Sequence, residues 1–221
     1  MGQEEIFNLK VSQGKIALAW INSYSCIVIK TSIASLVFDP VLLDPDGNFQ
    51  ADVIVITHEH YDHFSPILVR KLHKKTGAPI LTTQFVAQRL EGIDTKILNE
   101  EEHINFKDFE LYGVHCEHSA NGPLSFMVST QNGIRIYHPS DSKPFAEMVR
   151  LRKKENPDIL LYSGNSLENA AQIAKLVRPR LAVSYQSDAE SQRRFTSLLR
   201  KNSPTTKAKM IKLFEVYQYP C

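Results

Sequence analysis

A dense group of histidine and carboxylate side chains lies in the segment Thr57-His58-Glu59-His60-Tyr61-Asp62-His63. Three of the chain's 8 histidines fall here, directly after an apolar run. Neutral imidazole and carboxylate are the usual protein ligands of zinc and of neighbouring divalent metals. A surface loop that is rich in histidine by chance is the competing explanation. It is disfavoured because the group follows a buried strand, where sites of α/β proteins commonly lie. The segment therefore predicts a metal site.

The spacing of these side chains also predicts how they divide between ions. Residues two apart in an extended segment point the same way, so His58 and His60 can converge on one ion. Asp62 and His63 are adjacent and lie past the bend, so they can turn toward a second ion. Two ions roughly 3.5–4 Å apart can hold a bridging hydroxide and polarise a substrate oxygen. One or two Zn²⁺ ions are expected, with Mn²⁺ or Fe²⁺ as alternatives.

The predicted secondary structure places this segment at the end of a buried strand. Short apolar runs rich in β-branched residues predict strands over residues 26–31, 35–39, 53–57, 80–82, 109–115, 124–129, 134–138, 159–162, 181–184 and 211–216. Helical periodicity and capping residues predict helices over 65–76, 83–90, 166–177 and 190–201. Asn132-Gly133 is a strong hairpin signal. Two strand-rich blocks, each finished by helices, indicate two packed sheets with helices outside.

Composition narrows the class of protein. The chain has 221 residues, 43% of them hydrophobic, which is enough for one large core in one domain or two. A net charge of +2 predicts no strong attraction to nucleic acid or to an anionic membrane. No span approaches the ~20 apolar residues that cross a bilayer, and the first residues do not resemble a secretory signal. The three widely spaced cysteines, Cys26, Cys116 and Cys221, form no disulfide framework, so a reducing cytoplasm is expected.

The H-x-H-x-D-H spacing of residues 58–63 resembles the signature loop of the metallo-β-lactamase superfamily. The diiron variant of that loop has Glu where this chain has His60, so the loop is similar to that of the hydrolases. Phe38-Asp39-Pro40 and the layout from Ser163-Gly164-Asn165 to Arg178-Pro179-Arg180 resemble the branch that contains ascorbate-6-phosphate lactonase and uncharacterised metal-dependent hydrolases. The resemblance implies one domain over residues 1–221, a four-layer αββα sandwich with the metal loop at the edge between the sheets.

The same resemblance implies further ligands. Residues 113–119 resemble the segment that supplies the next histidine, and the family pattern of a short gap followed by His-Ser favours His118 over His115. Residues 136–141 resemble the strand that ends in the bridging aspartate, here Asp141. The implied scheme has one metal on His58, His60 and His118, and a second on Asp62 and His63, with Asp141 between them.

One position departs from the family pattern. The family ends its ligand set with a histidine after a late strand, and this chain has no histidine beyond His138. Gln186 stands in that place. Its neutral carbonyl oxygen is a weaker zinc ligand than imidazole. The departure predicts a second metal site that is weak, that takes a harder metal, or that stays empty.

Two functions follow from these features. The first is a hydrolase in which a metal-bound hydroxide attacks an ester, lactone or phosphodiester of a small-molecule substrate, with Asp62 orienting the nucleophile or accepting its proton. The fold does not set the substrate, and a sugar-phosphate lactone is suggested only by analogy. The alternative is a binding or sensor protein that keeps the fold and one metal without turnover. The oligomeric state does not follow from these features.

The remaining histidines have simpler interpretations. His73 lies beside two lysines and His103 follows three glutamates, so both are expected at the surface. His115 and His138 each lie near a proposed ligand. Either is a structural histidine or a substrate contact, with the structural role slightly favoured.

Overall fold

A computed structural model of the chain describes residues 2–163, 166–185 and 188–220. The strands of this described part are β1 (Ile16–Trp20), β2 (Ile27–Lys30), β3 (Ser35–Phe38), β4 (Val53–Val55), β5 (Ile80–Thr82), β6 (Thr95–Ile97), β7 (His103–Phe106), β8 (Phe109–His115), β9 (Leu124–Thr130), β10 (Arg135–His138), β11 (Ile159–Ser163), β12 (Leu181–Tyr185), β13 (Lys207–Met210) and β14 (Val216–Tyr219). The α-helices are α1 (Gln3–Asn8), α2 (Pro66–Thr76), α3 (Gln84–Ala87), α4 (Val149–Lys154), α5 (Leu167–Val177) and α6 (Ala189–Asn202).

The strands form two mixed sheets. The first has the order β14-β1-β2-β3-β4-β5-β6 and the second the order β13-β12-β11-β10-β9-β8-β7. In the first sheet β3, β4, β5 and β6 run parallel to one another. In the second, β10, β11, β12 and β13 are parallel, and β8 has the same direction because it is antiparallel to β9, which is antiparallel to β10. Parallel strands end at one edge, so each sheet gathers several loops at its carboxyl edge.

Three apolar clusters show that the layers are helix, sheet, sheet and helix. The central cluster lies between the sheets and joins side chains such as Phe38 and Phe126. One outer cluster packs α1, α2 and α3 on the first sheet, and the other packs α4, α5 and α6 on the second. Strands covered on both faces are apolar throughout, as β4 is. The predicted four-layer αββα sandwich is confirmed.

The elements predicted from capping residues and turn residues are present in the structure. Helix α2 has Ser65 as its N-cap, Pro66 at its first position and Gly77 in the left-handed conformation after its end. The Asn132-Gly133 hairpin joins β9 to β10. The predicted helix over 83–90 is shortened to α3. Cys26 is buried in the apolar cluster between the first sheet and its helices.

The predicted closing strand over residues 211–216 is wrong. The chain instead forms β13 before this segment and β14 at its end, and the two strands belong to different sheets. Residues 211–215 carry the chain from one sheet to the other, with Ile211 in the central cluster and Phe214 packed against the outer cluster of the first sheet. Among the described residues there is no helix with the length and hydropathy that a bilayer crossing requires.

Candidate metal centre

The candidate site lies where the carboxyl edges of the two sheets meet. The loop of residues 58–63 follows β4, and Asp39 follows the neighbouring β3. From the second sheet, His118 lies in the loop after β8 and Asp141 in the loop after β10. The site is therefore built from loops that the parallel strands bring to one place, as the sequence predicted for the metal loop.

The first ligand group consists of His58, His60 and His118, whose ligand atoms lie within 4.8 Å of one another. Nδ1 of His60 is 3.1 Å from Nε2 of His118. The ring of His58 is 4.7 Å from that of His60 and 4.8 Å from that of His118, measured between centroids. Two nitrogens bound to one tetrahedral zinc lie about 3.3 Å apart, so the group has the dimensions of a zinc site.

The second ligand group consists of His58, His63 and Asp141, with ligand atoms also within 4.8 Å of one another. Nε2 of His63 is 3.3 Å from an oxygen of Asp141. Ser163, the last residue of β11, donates to the other oxygen of Asp141 at 3.2 Å. Because His58 belongs to both groups, the two potential ion positions are adjacent.

Asp39 contacts the metal loop through Thr57 and His63. Its fully buried carboxylate accepts hydrogen bonds from the backbone N–H and the hydroxyl of Thr57 and lies 2.8 Å from Nδ1 of His63. The Thr57 hydroxyl is also 3.0 Å from Nδ1 of His58. A carboxylate bound to the far nitrogen of a metal-ligating histidine orients the ring and raises its basicity. Asp39 also has a left-handed backbone (φ 46°), which turns the chain sharply after β3.

In the sequence, Asp39 belongs only to the Phe38-Asp39-Pro40 resemblance, which implies no role for it. The signal available was a carboxylate at the end of an apolar strand. A buried, unpaired charge is costly, so such a residue needs a polar partner nearby. Thr57 and His63 are those partners.

The titratable side chains of the site have pKa values shifted in different directions. Burial, together with the neighbouring His63, lowers the pKa of His58 to about 2, so His58 is a neutral imidazole. Burial also lowers the pKa of His118. For His63 burial acts in the same direction, but Asp39 and Asp141 outweigh it and raise the pKa to about 10. Burial raises the pKa of Asp141, yet His63 holds it well below its usual range.

One predicted ligand, Asp62, belongs to neither group, and another lies outside the described residues. Asp62 is 24% exposed and its carboxylate is 3.8 Å from Nε2 of His63, while its backbone carbonyl accepts a hydrogen bond from Ser25. Its side chain belongs to neither ligand group of the described residues. Gln186, the predicted replacement for the last histidine, lies outside the described residues.

The other histidines make different contacts. His115 is 47% exposed and its two ring nitrogens contact Glu100 and Glu117, at 2.7 and 3.1 Å. His138 is buried, stacks on Phe38 and lies 3.0 Å from the Tyr185 hydroxyl through Nε2. Burial lowers the pKa of His138 to about 3. Both have structural partners, which favours the structural interpretation of each. His103 is 45% exposed, as expected, and His73 is part-buried, with Nδ1 2.8 Å from the carbonyl oxygen of Ala78.

The donor set fits a divalent metal. Nε2 of His58 is buried and has no hydrogen-bond partner within the described ranges. Buried polar atoms are nearly always satisfied, so this nitrogen requires a partner that the protein does not supply. His58 belongs to both ligand groups, and neutral imidazole nitrogen is a preferred zinc ligand.

Comparisons with known proteins identify the family of the chain. Residues 17–186 match the sequence model of the β-lactamase superfamily domain. The chain is 27% identical over 197 residues to a UPF0173 metal-dependent hydrolase of Staphylothermus marinus, covering 82% of this chain and 84% of that protein. It is 26% identical over 189 residues to a UPF0173 metal-dependent hydrolase of Salinibacter ruber, covering 75% of this chain and 82% of that protein.

Solved structures share the fold. Igni18, a metallo hydrolase of the archaeon Ignicoccus hospitalis, aligns with a TM-score of 0.79 at 20% identity, covering 94% of this chain and 99% of that one. An isothiocyanate hydrolase from Delia radicum gut bacteria aligns with a TM-score of 0.69 at 14% identity, covering 91% and 98% of the two chains. At these identities the likeness concerns the fold and not the substrate.

Proposed function

Since the chain belongs to the β-lactamase superfamily, we propose that it is a metal-dependent hydrolase of small molecules, acting on an ester, lactone or phosphodiester bond. The observation that supports this most strongly is that two ligand groups meet at His58, whose buried Nε2 has no hydrogen-bond partner within the described ranges. Zn²⁺ is the first candidate because the first ligand group offers three imidazole nitrogens, and Mn²⁺ or Fe²⁺ are the alternatives. The names of the relatives in Staphylothermus marinus and Salinibacter ruber favour the same reaction class.

The residues divide the work between binding and proton transfer. A bound divalent metal lowers the pKa of a water molecule and polarises the substrate oxygen. His58, His60 and His118 hold that ion. His63 and Asp141 hold a second one, with Gln186 proposed as a further, weak ligand. Asp62 is close to the second ligand group without belonging to it, so its carboxylate is placed to orient the nucleophile or accept its proton.

A hydrolysis screen of the metal-loaded protein tests this proposal. The chain is loaded with Zn²⁺, Mn²⁺ or Fe²⁺, its metal content is determined by elemental analysis, and it is assayed on p-nitrophenyl acetate, on a simple lactone and on bis(p-nitrophenyl) phosphate. Hydrolysis that requires metal, and that falls at least tenfold in Asp62→Asn, is expected. His103→Ala changes a surface histidine and should match wild type. Metal-independent hydrolysis, or none on any of the three bond types, would refute the proposal.

A metal-binding or sensor protein without turnover is the second candidate. The separation of Asp62 from both ligand groups favours it, because a second ion would then depend on fewer protein ligands. This candidate predicts one tightly held equivalent of metal and no hydrolysis in the same screen. Two equivalents with hydrolysis favour the enzyme.

A further inference from the structure

The turn that carries Asp141 into the second ligand group contains a residue in the left-handed conformation. Ser140, directly before Asp141, has φ 54° and is 1% exposed. This conformation is costly for a residue other than glycine, so it persists only where surrounding contacts hold it. The position of the Asp141 carboxylate therefore depends on the contacts that hold the backbone of Ser140.

His138 holds that backbone through one of its ring nitrogens. The N–H of Ser140 donates to Nδ1 of His138, two residues earlier, at 3.1 Å. An Asn or Asp side chain that accepts from the N–H two residues on stabilises a tight turn in the same way. The turn is completed by Ser142, whose N–H donates to the Pro139 carbonyl at 3.0 Å. That carbonyl also accepts from the Ser125 hydroxyl at 2.8 Å.

The other ring nitrogen of His138 determines which tautomer is present. Burial lowers the pKa of His138 to about 3, so the ring is neutral and carries one proton. Because Nδ1 accepts from a backbone N–H, that proton lies on Nε2. Nε2 is 3.0 Å from the hydroxyl of Tyr185, which therefore accepts from it. The bond to Tyr185 thus keeps Nδ1 unprotonated and able to accept from Ser140.

The ends of three strands meet at the ring of His138. His138 is the last residue of β10 and Tyr185 is the last residue of β12 in the same sheet. Phe38, the last residue of β3 in the first sheet, stacks on the ring at 4.4 Å between centroids. The ring is 2% exposed. It therefore joins the two sheets at the edge where the loops of the metal centre begin.

We propose that His138 is a positioning residue for the second ligand group: its ring, protonated at Nε2, holds Ser140 in the conformation that directs Asp141 toward His63. Nε2 of His63 is 3.3 Å from the Asp141 carboxylate. His138 is not proposed as a ligand, since it belongs to neither ligand group of the described residues. The inference rests on the proposed metal centre, because Asp141 is assigned there to the second ion.

The hydrogen bonds are tested in the metal-free chain by NMR. Long-range ¹H–¹⁵N correlation should show His138 protonated at Nε2 and unprotonated at Nδ1. His138→Leu removes the acceptor, so amide hydrogen exchange at Ser140 should become about tenfold faster. His138→Asn places an amide oxygen near the position of Nδ1 and should restore most of the protection. A proton on Nδ1, or equal protection of Ser140 in wild type and His138→Leu, would overturn the inference.

A Zn²⁺ titration followed by calorimetry tests the positioning itself. In His138→Leu the second equivalent should bind about tenfold more weakly, as is usual when a residue that orients a ligand is lost. The first equivalent, held by the first ligand group, should bind as in wild type. His138→Asn should recover most of the lost affinity. His73→Leu is the matched control, because it also removes a ring that bonds to the backbone, near the far end of α2.

The pattern of losses separates positioning from a general structural role. Equal weakening of both equivalents, an unchanged second equivalent in His138→Leu, or no recovery in His138→Asn would each refute the positioning role. If wild type binds a single equivalent, the second ion of the proposed function fails. Exchange at Ser140 and Asp141 then decides: protection lost in His138→Leu and restored in His138→Asn supports the inference, and any other pattern refutes it.

A second variant covers the case in which His138→Leu does not fold. Tyr185→Phe removes only the hydroxyl that accepts from Nε2. The His138 ring should then carry its proton on Nδ1 in a larger fraction of molecules, and Ser140 should exchange faster. The second equivalent should weaken while the first does not. An unchanged tautomer together with unchanged binding of the second equivalent would contradict the proposed role.

Discussion

The two ligand groups share His58 but differ in what holds their other members. His60 and His118 are half-buried and contact each other and His58. His63 is 2% exposed and lies against a carboxylate at each ring nitrogen, Asp39 on one side and Asp141 on the other. The first ligand group consists of three imidazoles, whereas the second includes a histidine that lies between two carboxylates. The fold thus preorganises the second group more rigidly, although the first has the better zinc donors.

Removing the shared ligand should give the largest effect. His58→Ala takes one ligand from both groups, so metal affinity should fall at least tenfold. His58→Ala/His60→Ala should abolish binding at the first ligand group. Elemental analysis after dialysis against metal-free buffer measures the retained metal, with His103→Ala as the surface control. Unchanged metal content in the double variant would show that these histidines hold no ion.

Replacing the buried carboxylate of Asp39 should distinguish the two ligand groups, because only the second contacts it. Asp39→Asn keeps the shape but removes the charge opposite His63, and losing one partner of a buried pair costs about 3–5 kcal/mol. We expect the free energy of unfolding, measured in urea, to fall by roughly that amount. Asp94→Asn is the control, because Asp94 is 88% exposed and its contact with Lys96 contributes below about 1 kcal/mol. A loss equally small in Asp39→Asn would mean that the second group needs no charged support.

The charge of His63 should also make the metal-free protein sensitive to pH. Its folded pKa is raised to about 10, above the ordinary value of 6.5. A raised pKa contributes stability that is complete below the unfolded pKa and is lost as pH rises through the folded one. The free energy of unfolding should therefore decline from about pH 6.5 to about pH 10, with a slope of up to about 1.4 kcal/mol per pH unit. The lowered pKa of His58 acts below this window.

Urea denaturation at several pH values measures that slope. Asp39→Asn should flatten it, because the largest charge that raises the pKa of His63 is gone. The metal-loaded protein should lack this slope, because the His63 ring nitrogen that would otherwise bind the proton is then a metal ligand. An equal slope in Asp39→Asn and wild type would assign the dependence to another group.

The sequence predicted the parts of the site that depend on local signals. The metal loop was recognisable from spacing alone, and α2 after it from Ser65, Pro66 and Gly77. The role of Asp39 was not, because it depends on the parallel pairing of β3 and β4, which brings Asp39 beside Thr57. Strands β13 and β14 were not predicted for a similar reason. Strand β14 pairs with β1, near the other end of the chain, and β13 lies in the other sheet.

The smallest expected effect concerns Gln186, and it tests whether the second ligand group lacks a donor. Strand β12 ends at Tyr185, and the family resemblance places the last ligand directly after it. If Gln186 supplies an amide oxygen where imidazole is usual, the second metal should bind more weakly than the first. Gln186→His should then raise second-site occupancy by a few-fold to about tenfold and increase any hydrolytic rate.

A metal titration at neutral pH, followed by elemental analysis, compares wild type with Gln186→His, and Gln192→His on α6 serves as the control. Two tight and equal equivalents in wild type would remove the premise that a donor is missing. A variant that matches wild type would instead turn attention to Tyr185 and Asp188. Of these, the Tyr185 hydroxyl already bonds to His138, while Asp188 caps α6 by accepting from the Ser191 N–H. Because both of these side chains already have partners, Gln186→His is the variant that tests whether the second ligand group lacks a donor.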